Sequence, residues 1–403
     1  MLCQFTFENF KSYKNETVLD LQAISGQNFE DSLLSSGNDK NSFLPVSVIY
    51  GPNGGGKSNV LDAINGVVSL VMRPIRIIRN IENNNDTVEL APFLFDNYSR
   101  NEPTKFEIYF RPNDEYEYRY LIFITNGIIF KECLYRRKIG KGSRIAMIFE
   151  RDADGICLGP SINKKKINTE VNDTMPFLSF LYINYKLEPI ILAVNWFQRI
   201  TVRNYANSSE ERYLVLPEDE AFKKRLLALM NEVGINISNF DFVKTDEGKS
   251  YDLIFEHTVN GIPYHLNIFQ ESHGTQKLFN VLPLVIIALL SGHLLIIDEL
   301  DAKLHPKLLK FIIMLFKNPE INKTNAQLVF TSHDVSTMKS SVFRTDEIWF
   351  ACKQDDESSD LYSLSELRDE CGNHIRPNAA FDKQYLEGRY GADPYFQNIM
   401  DWK

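Results

Sequence analysis

GPNGGGKSN, residues 51–59, is the stretch on which the fold turns. It satisfies G-x-x-x-x-G-K-[ST] with Gly51, Gly56, Lys57 and Ser58, the pattern of a phosphate-binding loop. Its surroundings agree. PVSVIY (residues 45–50) is a short β-branched and aromatic run that reads as a strand. NVLDAINGVVSLV (residues 59–71) spaces its apolar residues as a helix does. Strand, glycine loop and helix start aim backbone N–H groups and a helix dipole at one point, which suits an anion. Glycine is required there because a Cβ blocks close approach of the backbone to phosphate oxygens. Asn53, Gly54, Gly55, Gly56, Lys57, Ser58 and Asn59 are therefore the candidate nucleotide-binding residues. Lys57 is expected on the β- and γ-phosphates and Ser58 on Mg²⁺.

Three later stretches fit the same chemistry. LLIIDELD (residues 294–301) is an apolar strand that delivers Asp298 and Glu299 to its carboxyl edge, where nucleotides bind in α/β sheets. Asp298 is expected to hold Mg²⁺, and Glu299 to polarise an attacking water. VFTSHD (residues 329–334) is a second such strand. Its His333 follows Glu299 by 34 residues and suits a sensor of the transferred phosphoryl group. FQESHGTQKL (residues 269–278) is a polar turn entering an apolar helix. Ser272, Gly274 and Thr275 there form either a second anion site or a plain N-cap.

Composition bounds the class. The chain has 403 residues and a formal net charge of -9, which argues against a uniformly basic surface but leaves room for a basic groove. Five scattered cysteines without a C-x-x-C indicate reduced thiols. The polar opening MLCQFTFENFKSYKNE is no signal peptide, and the longest apolar run, residues 281–290, is too short for a bilayer. A cytoplasmic protein is the expectation. TKFEIYFRP and EYEYRYLIFITNGIIFKECLYRR, with an Asn126-Gly127 turn, read as an antiparallel β lobe. Residues 137–174 are polar and carry two basic clusters: Arg136, Arg137, Lys138, Lys141 and Arg144, then Lys164, Lys165 and Lys166. They are either a solvated face or a nucleic-acid or partner contact. Residues 176–232 read mostly as helices, without sustained heptads and hence without a long coiled coil. The acidic cluster of Asp355, Asp356, Glu357 and Asp360 reads as a solvated loop. The aromatic tail, residues 385–403, is a strap on the domain or a partner-docking segment.

Taken together these residues resemble the ABC-type ATPases of the SMC, Rad50 and RecF group. FTFENFKSY, GPNGGGKS, LLIIDE, Leu300-Asp301 and TSHD match that group's opening, Walker A, Walker B, D-loop and switch histidine, and ESHGT is similar to a divergent signature motif. ESHGT, DELDAKLHP and YLEGRYGADP make the chain similar, more closely, to the compact AAA15/AAA21-type ATPases. The resemblance covers residues 1–70 and 265–395 well. It implies an α/β P-loop NTPase with an ABC-ATPase-like head, a mixed central sheet flanked by helices, carrying the β lobe and a helical insert.

The implied layout is a head of residues 1–112 and 235–352, a lobe and insert of residues 113–234, and a tail of residues 353–403. The resemblance also implies ATP and Mg²⁺ as cofactors and a homodimer or larger homo-oligomer closed around two ATP molecules. In it Ser272 and Gly274 meet the partner's γ-phosphate and Asp301 communicates across the dimer. The function it implies is that of an ATPase subunit in a bacterial phage-defence system, acting as sensor or scaffold for a separately encoded nuclease or toxin. The alternative is a RecF-like clamp on duplex DNA, for which the basic clusters are the candidate contacts. A module using ATP only as structural glue is disfavoured by Glu299 and His333.

Overall fold

A computed structural model describes residues 1–35, 41–79, 90–140, 142–162, 167–204, 219–244, 251–369 and 371–392. Lys141, Lys164, Lys165 and Lys166, Pro217 and the end of the tail lie outside the described residues.

The chain opens with β1 (Leu2–Glu8) and β2 (Thr17–Asp20), which pair antiparallel. Two short strands, β3 (Leu34–Ser35) and β4 (Ser42–Phe43), pair antiparallel ahead of β5 (Val46–Tyr50). The glycine loop follows, then α1 (Lys57–Ile78). Next come β6 (Thr104–Phe110), β7 (Tyr116–Thr125), β8 (Ile128–Lys138), β9 (Ile145–Asp152) and β10 (Gly155–Leu158). These five join β1 and β2 in one antiparallel sheet of order β10-β9-β8-β7-β6-β1-β2. The β lobe therefore takes in the N-terminus, through β1 lying between β2 and β6.

Two apolar helices follow, α2 (Phe177–Asn184) and α3 (Glu188–Gln198). The next element departs from the helical reading of residues 176–232. Residues 200–204, ITVRN, form β11 (Ile200–Asn204), parallel to the strand of the Asp298 motif. The β-branched run Ile-Thr-Val favours an extended chain once an adjacent edge is available. Then α4 (Glu220–Glu232) starts at Asp219, whose side chain accepts the Ala221 N–H, and Gly234 follows its end at φ 85°. β12 (Asn239–Lys244), β13 (Tyr251–Val259) and β14 (Ile262–Asn267) make a three-stranded antiparallel sheet.

The last part contains α5 (His273–Ser291), β15 (Leu294–Asp298), α6 (Pro306–Lys317), β16 (Gln327–Thr331), β17 (Ile348–Lys353), β18 (Ser359–Ser363) and α7 (Phe381–Leu386). The central sheet has the order β11-β15-β16-β5-β17-β18, with only β18 antiparallel. Its inner strands are buried throughout, as expected when helices cover both faces. Val46, Val48 and Tyr50 of β5 pack with α4, α5 and α6, while Ile49 packs with α1, α2 and α3 beneath the seven-stranded sheet. α5 is long and apolar enough to cross a membrane by length and composition alone, and it packs in the first of these two cores. The five cysteines are free thiols, and Cys3, Cys133 and Cys352 are buried.

Candidate functional site

The parallel register lines up the carboxyl ends of the central strands. Asn204 pairs with Asp298, Ile297 with Phe330, Thr331 with Ile49 and Phe350 with Tyr50. β16 lies between β5 and β15, so the TSHD turn stands between the glycine loop and the acidic pair. These three motifs, drawn from residues 51–59, 294–301 and 329–334, thus share one sheet edge.

The glycine loop is held by its neighbours. A Cβ on Gly51, at φ 145°, would come within 2.0 Å of the Ala351 carbonyl oxygen, and one on Gly55 within 2.7 Å of the same oxygen. Gly56 caps α1 at φ 101°, and no side chain caps that helix start. The first N–H groups of α1 thus remain available to an anion. Gly55, Gly56 and Lys57 are buried, whereas Asn53, Gly54 and Ser58 are exposed and Asn59 is half-buried. Lys57 Nζ donates to the carbonyls of Gly51 at 2.9 Å and Pro52 at 3.0 Å. Burial holds its ammonium below the ordinary lysine value, while Asp298, Glu299 and Asp301 act in the opposite direction. An ammonium in that position, beside an open helix start, is complementary to a polyphosphate.

Asp298 is 6% exposed and both its carboxylate oxygens are engaged. Oδ1 accepts the Thr331 hydroxyl at 2.5 Å and Oδ2 accepts the Asn204 amide at 3.1 Å. Thr331 also accepts the Glu299 backbone N–H at 2.8 Å. Glu299 itself has φ 53°, a left-handed conformation that is uncommon for a non-glycine residue. Such backbone strain concentrates where a side chain must be aimed against local preference. The His333 backbone N–H donates to Asp301 Oδ2 at 3.0 Å, and the His333 side chain is exposed at the edge.

Ser272 and Gly274 open α5. The Ser272 hydroxyl accepts the Thr275 N–H at 3.1 Å, so Ser272 is an N-cap. The Lys303 carbonyl lies 3.7 Å from where a Gly274 Cβ would stand, so the start of α5 is near the turn after β15. The residues present fit ATP and Mg²⁺: Asn53, Gly54, Gly55, Gly56, Lys57 and Asn59 for the phosphates, Ser58 and Asp298 for the metal. Asn204 and Thr331 escaped the sequence reading. Thr331 stood beside a recognised histidine, and its polarity at the end of an apolar strand was the available signal.

The basic clusters take different places. Arg136 pairs with Glu188 at 2.8 Å and lies over the Tyr116 ring at 4.4 Å, and Arg137 pairs with Glu117 at 2.6 Å. Lys138 and Arg144 are exposed. The acidic cluster flanks the turn between β17 and β18, where Asp356 accepts the Ser358 N–H at 3.1 Å and Glu357 pairs with Lys353. Of the tail aromatics, Tyr385 stacks on Phe350 at 5.6 Å and Tyr390 packs against the same ring at 5.3 Å.

Among solved structures the chain is similar to the SMC head bound to the C-winged helix domain of ScpA, at 16% identity and TM-score 0.47, over 91% of this chain and 98% of that one. It is also similar to the SMC head domain of Thermotoga maritima, at 13% identity and TM-score 0.39, over 90% and 98% of the two chains. The recombination mediator RecF with ATP matches at 13% identity and TM-score 0.33, over 90% and 97%. No curated protein matches the sequence. The family model described as "AAA domain, putative AbiEii toxin, Type IV TA system" matches residues 46–339, from the strand before the glycine loop to just past His333. The chain therefore belongs to the AAA_21 family.

Proposed function

We propose that this protein binds and hydrolyses ATP, closes head to head around two nucleotides, and serves as the sensor or scaffold of a bacterial anti-phage system in the cytoplasm. The observation that carries the catalytic part is the meeting of Lys57, Asp298, Glu299 and His333 on one edge of the central sheet. The family description, a putative toxin of a type IV toxin–antitoxin system, supports a place in a toxin-based defence system; the separate effector, a nuclease or toxin, is the further part of this reading.

The chemistry follows from the residues. The glycine loop and the open start of α1 bind the phosphates, and Lys57 exchanges the Gly51 and Pro52 carbonyls for phosphate oxygens. Mg²⁺, held by Ser58 and Asp298, would neutralise charge on the β- and γ-phosphates. Glu299 orients a water for in-line attack and accepts its proton. His333 donates a hydrogen bond to the transferred group, where charge develops. Ser272 and Gly274 at the start of α5 complete the partner's site, and Asp301 couples that contact to His333 through its backbone N–H.

Mass measurement of the purified protein with ATP and Mg²⁺, wild type against Glu299→Gln, tests this. The expected result is a trapped dimer or larger assembly in the variant, which Ser272→Arg disrupts. A mass that ATP and Ser272→Arg both leave unchanged contradicts the head-to-head arrangement.

A further inference from the structure

The glycine loop is contacted from both sides in sequence, by Ser12 and Tyr13 before it and by the β17–β18 hairpin after it. Ser359, the first residue of β18, is 3% exposed. Its backbone N–H donates to the Ser12 carbonyl at 2.7 Å, and its hydroxyl donates to the Ser12 hydroxyl at 2.8 Å. The Ser12 hydroxyl also accepts the side-chain amide of Asn59, in the first turn of α1, at 2.8 Å. A Cβ on Gly56 would lie 2.5 Å from Ser359 Oγ and 3.1 Å from Ser12 Oγ, so both hydroxyls occupy the space that a side chain at Gly56 would need. On the opposite strand of the same hairpin, the Ala351 carbonyl occupies the space where side chains at Gly51 and Gly55 would stand. Tyr13, beside Ser12, adds a long contact from its hydroxyl to the Gly56 carbonyl at 3.4 Å.

Three successive glycines, residues 54–56, give this segment more conformational freedom than any other composition would. A ligand that needs a fixed array of N–H groups binds more tightly when that freedom is removed beforehand. We infer that Ser359 and Ser12 are positioning residues of the phosphate loop, and that the β17–β18 hairpin thereby sets the affinity for nucleotide. The two serines act through Gly56 and Asn59. The inference rests on the reading of residues 51–59 as the ATP site.

The test is isothermal titration of the full chain with ATP and Mg²⁺, alongside steady-state turnover and melting without nucleotide. Wild type, Lys57→Ala, Ser359→Ala, Ser12→Ala and the double serine variant are compared. Loss of one neutral hydrogen bond predicts that Ser359→Ala raises Kd and KM by about three- to tenfold. Turnover at saturating ATP stays near that of wild type, and nucleotide-free melting moves little. Ser12→Ala gives a similar change, and the double variant falls short of the product of the two because the hydroxyls share one contact. A lower melting temperature with unchanged Kd in both single variants makes the serines merely structural and overturns the inference. If wild type and Lys57→Ala bind ATP alike, the loop reading itself fails and takes the inference with it. Weak binding by Lys57→Ala with wild-type binding by both serine variants removes the inference alone.

Discussion

Thr331 donates its hydroxyl proton to Asp298 at 2.5 Å and accepts the Glu299 backbone N–H at 2.8 Å. One buried side chain on β16 thus fixes the Asp298 carboxylate and the backbone from which the Glu299 side chain projects. Thr331→Val keeps the shape but deletes both bonds, leaving an orphaned N–H and a freed carboxylate. Small misplacements of catalytic groups are costly, so turnover is expected to fall about 10- to 100-fold. Thr331→Ser retains the hydroxyl and is expected to keep most of the activity. Steady-state phosphate release compares the two.

Asn204 holds the other oxygen of Asp298 from the edge strand β11. Partners that orient a metal ligand typically control metal affinity by about 10- to 100-fold. Asn204→Ala is therefore expected to shift the Mg²⁺ concentration for half-maximal turnover upward within that range, which a magnesium titration at saturating ATP reads.

The loop glycines separate into two kinds. Gly51→Ala drives a Cβ to 2.0 Å from the Ala351 carbonyl oxygen, backbone that cannot swing away. This variant is expected to lose ATP binding and melt at lower temperature. Gly54→Ala meets nothing within 4 Å and pays only for φ 76°, about 1–2 kcal/mol. It is expected to fold and bind ATP more weakly. Binding and melting curves measured together distinguish the pair.

Away from the site, Lys317 and Glu347 form an ion pair at 2.7 Å with both side chains 0% exposed. Burial pushes the Glu347 carboxyl up and the Lys317 ammonium down, each opposed by its partner. Lys317→Met leaves a buried carboxylate without its counter-charge and is expected to destabilise by about 3–5 kcal/mol. Lys317→Met with Glu347→Leu removes both charges and is expected to recover most of that loss. Denaturant unfolding reads both.

The legible part of this protein was local. Gly51 to Ser58 sit in one stretch, Asp298 ends an apolar strand with Glu299 next to it, and His333 lies two residues past the end of another, so spacing and composition singled them out. The antiparallel lobe followed from the same patterns, whereas the head with its mixed central sheet came from the family resemblance. What escaped depends on pairing between distant segments. ITVRN reads as a continuation of apolar helices until β15 offers it an edge. Asn204 could not be placed beside Asp298, 94 residues on, before that pairing was known. Ser12 and Ser359 meet across 347 residues, and a serine in a turn carries no mark of its partner. The joining of β1 and β2 to β6 is of the same kind, since alternation predicts strands but not their neighbours.

The most direct measurement is phosphate release from ATP by Glu299→Gln beside wild type, with ATP affinity measured on the same samples. The account predicts turnover in the wild type, loss of at least about 100-fold in the variant, and nucleotide affinity equal or higher, since the base is removed and the phosphate loop is intact. Equal turnover in the two proteins would contradict it.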